Sequence, residues 1–175
     1  MSSTYLHPPA DTDIAAIVGQ LADGLTNLQQ TLEQCREQLE QGYTLGELRG
    51  VTEAEYAALY RIARDFCDRG DFHHALPVAL QLTLHNPANY RYPFIAGACL
   101  QRLGQPERAA LMYALACDAN PDDAASAYRL GECLIAASRP DEARQFLHKA
   151  VDLSYGKFHR RELQERARKK LEALH

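Results

Sequence analysis

An all-α fold, built from three helix pairs stacked into a concave superhelix, is what this sequence predicts, and three observations predict it. Small and apolar residues recur at an interval of 34: Ala63, Gly97 and Gly131; Phe66, Leu100 and Leu134; Ala75, Ala109 and Ala143. Helix breakers recur in the same phase, with Gly70, Gly104 and Ser138 in mid-unit and Pro87 and Pro121 at the ends of the first two units, where the third has Tyr155. Helical hydrophobic spacing flanks the array on both sides. A fixed period of this length is the mark of a stacked repeat architecture, in which each unit buries its apolar face against the next.

The elements follow in order. Residues 1–11 read as a flexible lead and 12–50 as an N-terminal helical segment. In that segment Ile14, Val18, Leu21, Leu25, Leu28, Leu32, Cys35 and Leu39 fall at alternating gaps of four and three, a heptad seam. Gly19 and Gly24 each weaken a helix by about 1 kcal/mol relative to alanine, so its early part is expected to fray. Such a seam serves either a helix packed on its own repeats or a self-association helix; its narrow, regular pattern favours the second, with Val18, Leu21, Leu25, Leu28, Leu32 and Leu39 as the dimerisation contacts. Thr52 and Glu55 form a capping box that starts the first repeat helix. Repeats then occupy about 56–89, 90–123 and 124–157 of a domain spanning 51–175. In each, Gly70, Gly104 or Ser138 marks the turn between the helices, and Pro106 and Pro140 open the second helix where a missing N–H costs nothing. The small residues at 63, 97 and 131 are expected to meet the alanines at 75, 109 and 143 across the helix contact. Pro77 falls inside the second helix of the first unit and predicts a kink or a late start there. A last helix over 158–174, with Leu163, Ala167, Leu171 and Leu174 on one side, is the expected C-terminal cap.

Composition narrows the function. Hydrophobic residues are 46% and charged residues 24% of the 175, a globular balance. No apolar run reaches the roughly 18 residues of a membrane span, so direct membrane insertion is not expected. The start "MSSTYLHPPADTD" lacks a basic, then apolar, secretory leader, and the expected compartment is the cytoplasm. The net charge of −4 is unevenly spread, with seven Lys/Arg against three Asp/Glu from Lys157 onward and −8 over the rest. That acidic body argues against nucleic acid as a partner, because phosphate binding needs a concentrated basic face. The five cysteines, Cys35, Cys67, Cys99, Cys117 and Cys133, have no metal-ligand spacing and read as small buried hydrophobes in a reducing compartment.

No motif in the chain points to an enzyme, a cofactor or a metal. His73 and His74 are adjacent and diverge by about 100° on a helix, which suits solvated histidines better than shared ligands. Asp122 and Asp123 follow Pro121 where a helix starts, which suits capping better than acid–base work. The remaining candidate is the concave face of the stacked pairs. Repeat phase places Tyr60, Arg64 and Cys67, then Arg91, Phe94, Ala98 and Gln101, then Tyr128, Glu132 and Ile135 on it. Tyr60, Phe94 and Tyr128 recur at 34-residue spacing, and an aromatic repeated at an inward position suits a wall for an extended peptide, with Arg64, Gln101 and Glu132 fixing its polar groups. Core packing is the competing reading of each.

This arrangement of small residues, mid-unit glycine and closing proline resembles the tetratricopeptide repeat over about 56–155. Repeat cochaperones that grip the acidic tail of heat-shock chaperones carry lysine and asparagine at inner positions where this chain has Tyr60 and Arg64; that clamp is unmatched, which favours an apolar or proline-containing ligand. Over about residues 30–172 the chain further resembles the class II chaperones of type III secretion translocators. "GYTLGELRGVTEAEYAALYRIA", "GACLQRLGQPERAALMYALA" and "GECLIAASRPDEA" carry the resemblance, together with the layout of three repeats between two flanking helices. The resemblance implies a cytoplasmic, non-enzymatic chaperone without cofactors, homodimeric through its N-terminal region. It also implies that hydrophobic translocators are kept soluble and apart before export, and that extended segments of them, with spaced proline and leucine, lie against Tyr60, Phe94 and Tyr128. Tyr92-Pro93 departs from the pattern at the middle pocket. The alternative is a repeat scaffold of another bacterial assembly, which would bind a folded partner.

Overall fold

The computed structural model describes residues 33–174, and every element among them is helical. The chain divides into two units, Met1–Tyr43 and Thr44–His175. In the first, the described part is one short helix, α1 (Arg36–Glu40), which carries Leu39, half-buried. Val18, Leu21, Leu25, Leu28 and Leu32 of the expected dimerisation seam lie outside the described residues.

The second unit begins ahead of the repeats. Thr44 and Glu47 make a capping box at α2 (Leu45–Leu48), and Thr52 and Glu55 make the expected one at α3 (Glu53–Asp68). In each box the glutamate carboxylate accepts from the threonine backbone N–H and hydroxyl, which holds its pKa below the ordinary range. The helices α4 (Phe72–His85), α5 (Arg91–Arg102), α6 (Pro106–Ala119), α7 (Ala124–Ala136) and α8 (Pro140–Ser154) follow. A 3₁₀ turn (Phe158–Arg160) leads to α9 (Arg161–Glu172). Each helix from α3 onward packs on its successor, α2 packs on α4, and α9 lies against α8 and α7. The three repeats are therefore α3/α4, α5/α6 and α7/α8.

The breakers stand where the periodicity puts them. Gly70, Gly104 and Ser138 adopt φ of 78°, 73° and 59°, the left-handed conformation that ends each first helix. Pro106 and Pro140 occupy the first helical positions of α6 and α8, and α4 and α6 end at His85 and Ala119, two residues before Pro87 and Pro121. Asp71 and Asp123 cap α4 and α7 by accepting from the backbone N–H of His74 and Ser126. Pro77 does not delay its helix: α4 starts at Phe72, with Pro77 in its second turn. Asp71 fixes the start, so the proline removes one interior hydrogen bond from a helix that tertiary packing already holds.

The small residues of the first helices meet a different partner from the one expected. A Cβ on Gly97 would lie 3.1 Å from three ring atoms of Tyr113, and a Cβ on Gly131 would lie 2.7 Å from Cγ of Leu147. The facing residue is four positions beyond the alanine expected, one helical turn on. Ala75, Ala109 and Ala143 are fully buried nonetheless, and the Ala143 carbonyl does approach Gly131. The position equivalent to Tyr113 and Leu147 in the first repeat is Ala79, and there the residue equivalent to the two glycines is Ala63, both fully buried. Glycine thus appears where the second helix presents a large side chain, and alanine where it presents a small one, so interior volume is conserved from repeat to repeat.

Among the described residues no helix is long and apolar enough to cross a membrane.

Candidate functional site

The residues expected in the groove fall at gaps of four and three along the first helices α3, α5 and α7, one face of each helix. Between the first two repeats lies a cavity of about 580 Å³, lined by Cys67 from α3, by Phe94, Ala98 and Gln101 from α5, and by Phe72, Arg102, Tyr113 and Arg129 around them. Four of the residues expected in the groove therefore share one pocket.

Its floor is built by a chain of dependencies that starts at Gly97. With no side chain there, the Tyr113 ring reaches from α6 to the backbone of α5 and stands edge-on to Phe94, centroids 5.4 Å apart at 73°. The Tyr113 hydroxyl then donates to Oε1 of Gln101 at 3.2 Å. Burial pushes the pKa of that hydroxyl well up, so it remains a neutral donor. Gln101 is left with its amide NH2 to offer to a ligand, while Ala98, one turn before it, keeps the space above open. Arg102 packs over the Phe72 ring at 5.0 Å and frames the rim. The pocket has an aromatic floor and a strongly charged lining, Asp68, Arg69, Arg102 and Arg129, which would give an extended chain one apolar anchor point and several charged groups for its polar atoms.

The third repeat is arranged differently. Tyr128 is 3% exposed: the guanidiniums of Arg129 and Arg166 lie 5.9 and 6.0 Å from its ring centre, and its hydroxyl donates to Oε1 of Glu132 at 2.8 Å. Burial, reinforced by that hydrogen bond, pushes its pKa up to about 12. Tyr128 is a core residue with a polar tip, which corrects the expectation of an open aromatic wall; the cause is α9, which closes over this end of the array. Glu132 also accepts from Arg129 at 2.8 Å and lies 3.8 Å from Nζ of Lys170. With Tyr128, Arg166, Lys169 and Lys170 it lines a second cleft of about 390 Å³. Ile135 packs on the buried core of the last two repeats and presents little to a ligand.

At the other end Tyr60 is half-buried against Tyr92, centroids 5.8 Å apart, and Tyr92 stacks on Tyr56. Arg64 and Arg91 are exposed on the same helices. Tyr92 and Pro93 are buried, and Pro93 takes the third position of α5, where its missing N–H has no helical acceptor to lose. Cys99, Cys117 and Cys133 are buried as expected, whereas Cys67 and Cys35 are partly exposed and Cys67 opens on the cavity. Repeat phase missed Tyr113, Phe72, Arg102 and Arg129 because it assigned the groove to the inward face of the first helices alone. Glycine at 97, where the first repeat has Ala63, was the available signal that something large from the second helix comes through.

An array of helix pairs with mid-unit left-handed turns and a concave pocket defines a tetratricopeptide-repeat protein. Two family models, both described as tetratricopeptide repeat, match residues 60–124 and 100–154, so tetratricopeptide repeats run through that stretch of the chain. No curated protein matches the chain by sequence. Among solved structures, the chain is similar to the type III secretion translocator chaperone SycD of Yersinia enterocolitica at 25% identity, with a TM-score of 0.67 over 74% of this chain and 97% of that one. It is also similar to PcrH of Pseudomonas aeruginosa, with 25% identity and a TM-score of 0.67 over 74% and 98% of the two chains. A type III secretion complex from Aeromonas hydrophila gives 25% identity and a TM-score of 0.76 over 81% and 95%. The resemblance to the translocator chaperones therefore extends from sequence motifs to three-dimensional structure.

Proposed function

We propose that this protein is a cytoplasmic, non-enzymatic chaperone that binds extended segments of hydrophobic type III translocators in its concave groove and holds them soluble and apart before export. One observation carries the reading: a pocket lined by Phe94, Ala98, Gln101 and Tyr113 lies between the first two repeats of a fold shared with SycD, which has also been solved in complex with a peptide of the translocator YopD. That complex has a TM-score of 0.68 to this chain at 25% identity.

The chemistry supports the same reading. A translocator carries membrane-active apolar segments that aggregate in water; covering an anchor side chain with Phe94 and Tyr113 removes apolar area from solvent, and binding raises the soluble population by mass action without ATP. A few buried anchors set a modest affinity, which permits release at the export gate. Tyr60 and Arg64 extend the path toward the first repeat, and Glu132 with the Lys170 side of the second cleft extends it toward α9. Homodimerisation through the N-terminal heptad seam belongs to this proposal.

Co-expression tests it. A hydrophobic translocator from the same host should move from the pellet to the soluble fraction with this chain and co-purify with it. Translocators that stay insoluble, or that are solubilised equally by a Phe94→Asp variant of unchanged helicity, would defeat the proposal.

A further inference from the structure

Cys67 on α3 and Cys99 on α5 are 32 residues apart in sequence, and their sulfurs are 3.4 Å apart. The two are unequal. Cys67 is partly exposed and lines the cavity, whereas Cys99 is fully buried beneath it. The shared S–H···S hydrogen bond holds the Cys67 thiol below the ordinary cysteine range, with the Arg64 guanidinium contributing, and the same bond together with burial raises that of Cys99. Cys117 and Cys133 contrast with them: both are buried, their thiols pushed up to about 11 and about 12, chiefly by burial. No other sulfur-to-sulfur hydrogen bond occurs among the described residues.

We propose that Cys67 and Cys99 are a peroxide-responsive dithiol that closes to an intramolecular disulfide across the floor of the groove. The geometry supplies both halves of the reaction: an accessible attacking sulfur and a resolving sulfur already in contact with it. With a hydroperoxide as oxidant, the Cys67 thiolate attacks the terminal peroxide oxygen. The S–O bond forms, the O–O bond breaks, and Cys67 becomes a sulfenic acid while the peroxide is reduced. Cys99 sulfur then attacks the Cys67 sulfur; the S–S bond forms, the S–O bond breaks, and the Cys99 proton leaves with the hydroxide as water. Overall two thiols and hydrogen peroxide give one disulfide and two waters.

The disulfide would tie α3 directly to α5 and fix the first two repeats against each other. The sulfurs must approach from 3.4 Å to about 2.05 Å, so the side chains and the two helices must shift slightly toward one another. It would also replace a thiol on the pocket wall by a rigid cystine and close the segment between the two residues into a loop in the unfolded chain, which stabilises the oxidised form. None of this depends on what the groove binds.

The experiment uses the full chain, reduced and freed of reductant, treated with hydrogen peroxide, denatured and blocked with N-ethylmaleimide. Loss of two of its five thiols, a cross-linked peptide pair containing Cys67 and Cys99, reversal by dithiothreitol and a raised Tm are expected. Cys133→Ser should leave this unchanged, Cys67→Ser should abolish it, and Cys99→Ser should leave a sulfenic acid at Cys67 that dimedone traps. Five thiols surviving in the wild-type chain, disulfides only between molecules, or oxidation of Cys67 to the sulfinic acid without pairing would each overturn the proposal. The wild-type peptide map decides it even where a variant folds poorly.

Discussion

Gly131→Ala is the most informative single substitution in the repeat core, because two known effects oppose each other there. In an exposed helix the change would stabilise by about 1 kcal/mol through backbone entropy. In α7 the added Cβ would meet Cγ of Leu147 at 2.7 Å and Cδ2 at 2.9 Å, and Leu147 is fully buried, so it has no free direction in which to yield. Overpacking of this kind costs about 1–3 kcal/mol. Net destabilisation of about 1 kcal/mol is expected, lowering Tm by about 2–4 °C for a chain of this size. Leu147→Ala alone should cost about 2–5 kcal/mol. Adding Gly131→Ala to it should then stabilise by about 1 kcal/mol, since the clash is gone and the entropy gain remains. Urea unfolding followed by far-ultraviolet circular dichroism on the four proteins of this cycle measures the reversal of sign. Stabilisation by Gly131→Ala in both backgrounds would refute the packing argument, and with it the pairing of Gly97 with Tyr113 on which the pocket floor depends.

Phe94→Ala should weaken binding of an extended translocator segment by about 2 kcal/mol, roughly thirtyfold, in isothermal titration, with helicity retained. The hydroxyl of Tyr56 is buried without a hydrogen-bond partner, so Tyr56→Phe should be neutral or stabilising by about 1 kcal/mol in the same urea assay. His85 accepts at Nε2 from Arg49 and donates from Nδ1 to the Gln81 carbonyl; burial first, with Arg49 contributing, depresses its pKa. The unfolded chain therefore takes up a proton before the folded one, so stability should be flat above about pH 7 and fall as pH drops through about 6.5, a slope that His85→Gln removes. Deleting residues 1–35 should move the solution mass from dimer to monomer in light scattering, the outcome expected of a heptad seam that serves self-association; an unchanged mass would assign the seam to packing within the chain.

The repeat was legible because its breakers answer to local rules. A left-handed turn at Gly70, Gly104 and Ser138 and a proline at the start of α6 and α8 follow from backbone sterics, and they set the phase of the whole array. The same faces of α3 and α5 followed from that phase, which is why Cys67 of α3 and Phe94, Ala98 and Gln101 of α5 line one cavity. Tyr113 was not found, because its entry into the floor depends on the space at Gly97, a property of two facing helices that no single-helix pattern records. Tyr128 was misjudged for a related reason. Its position in the repeat is equivalent to that of Phe94, but α9 follows the third repeat where another repeat would otherwise continue the groove, and covers it. Pro77 shows the limit of local rules from the other side, since packing and the Asp71 cap carry α4 through it.

The central claim is that the client lies in the concave groove and not on the outer helices, where Leu111 and Leu115 are exposed at 63% and 40%. Site-specific photo-crosslinking separates the two surfaces directly. With a benzophenone amino acid at position 98 or at position 111, in the full chain co-expressed with a translocator, the account predicts a crosslink to an extended client segment from 98 and none from 111. Crosslinks from 111 with none from 98 would contradict it.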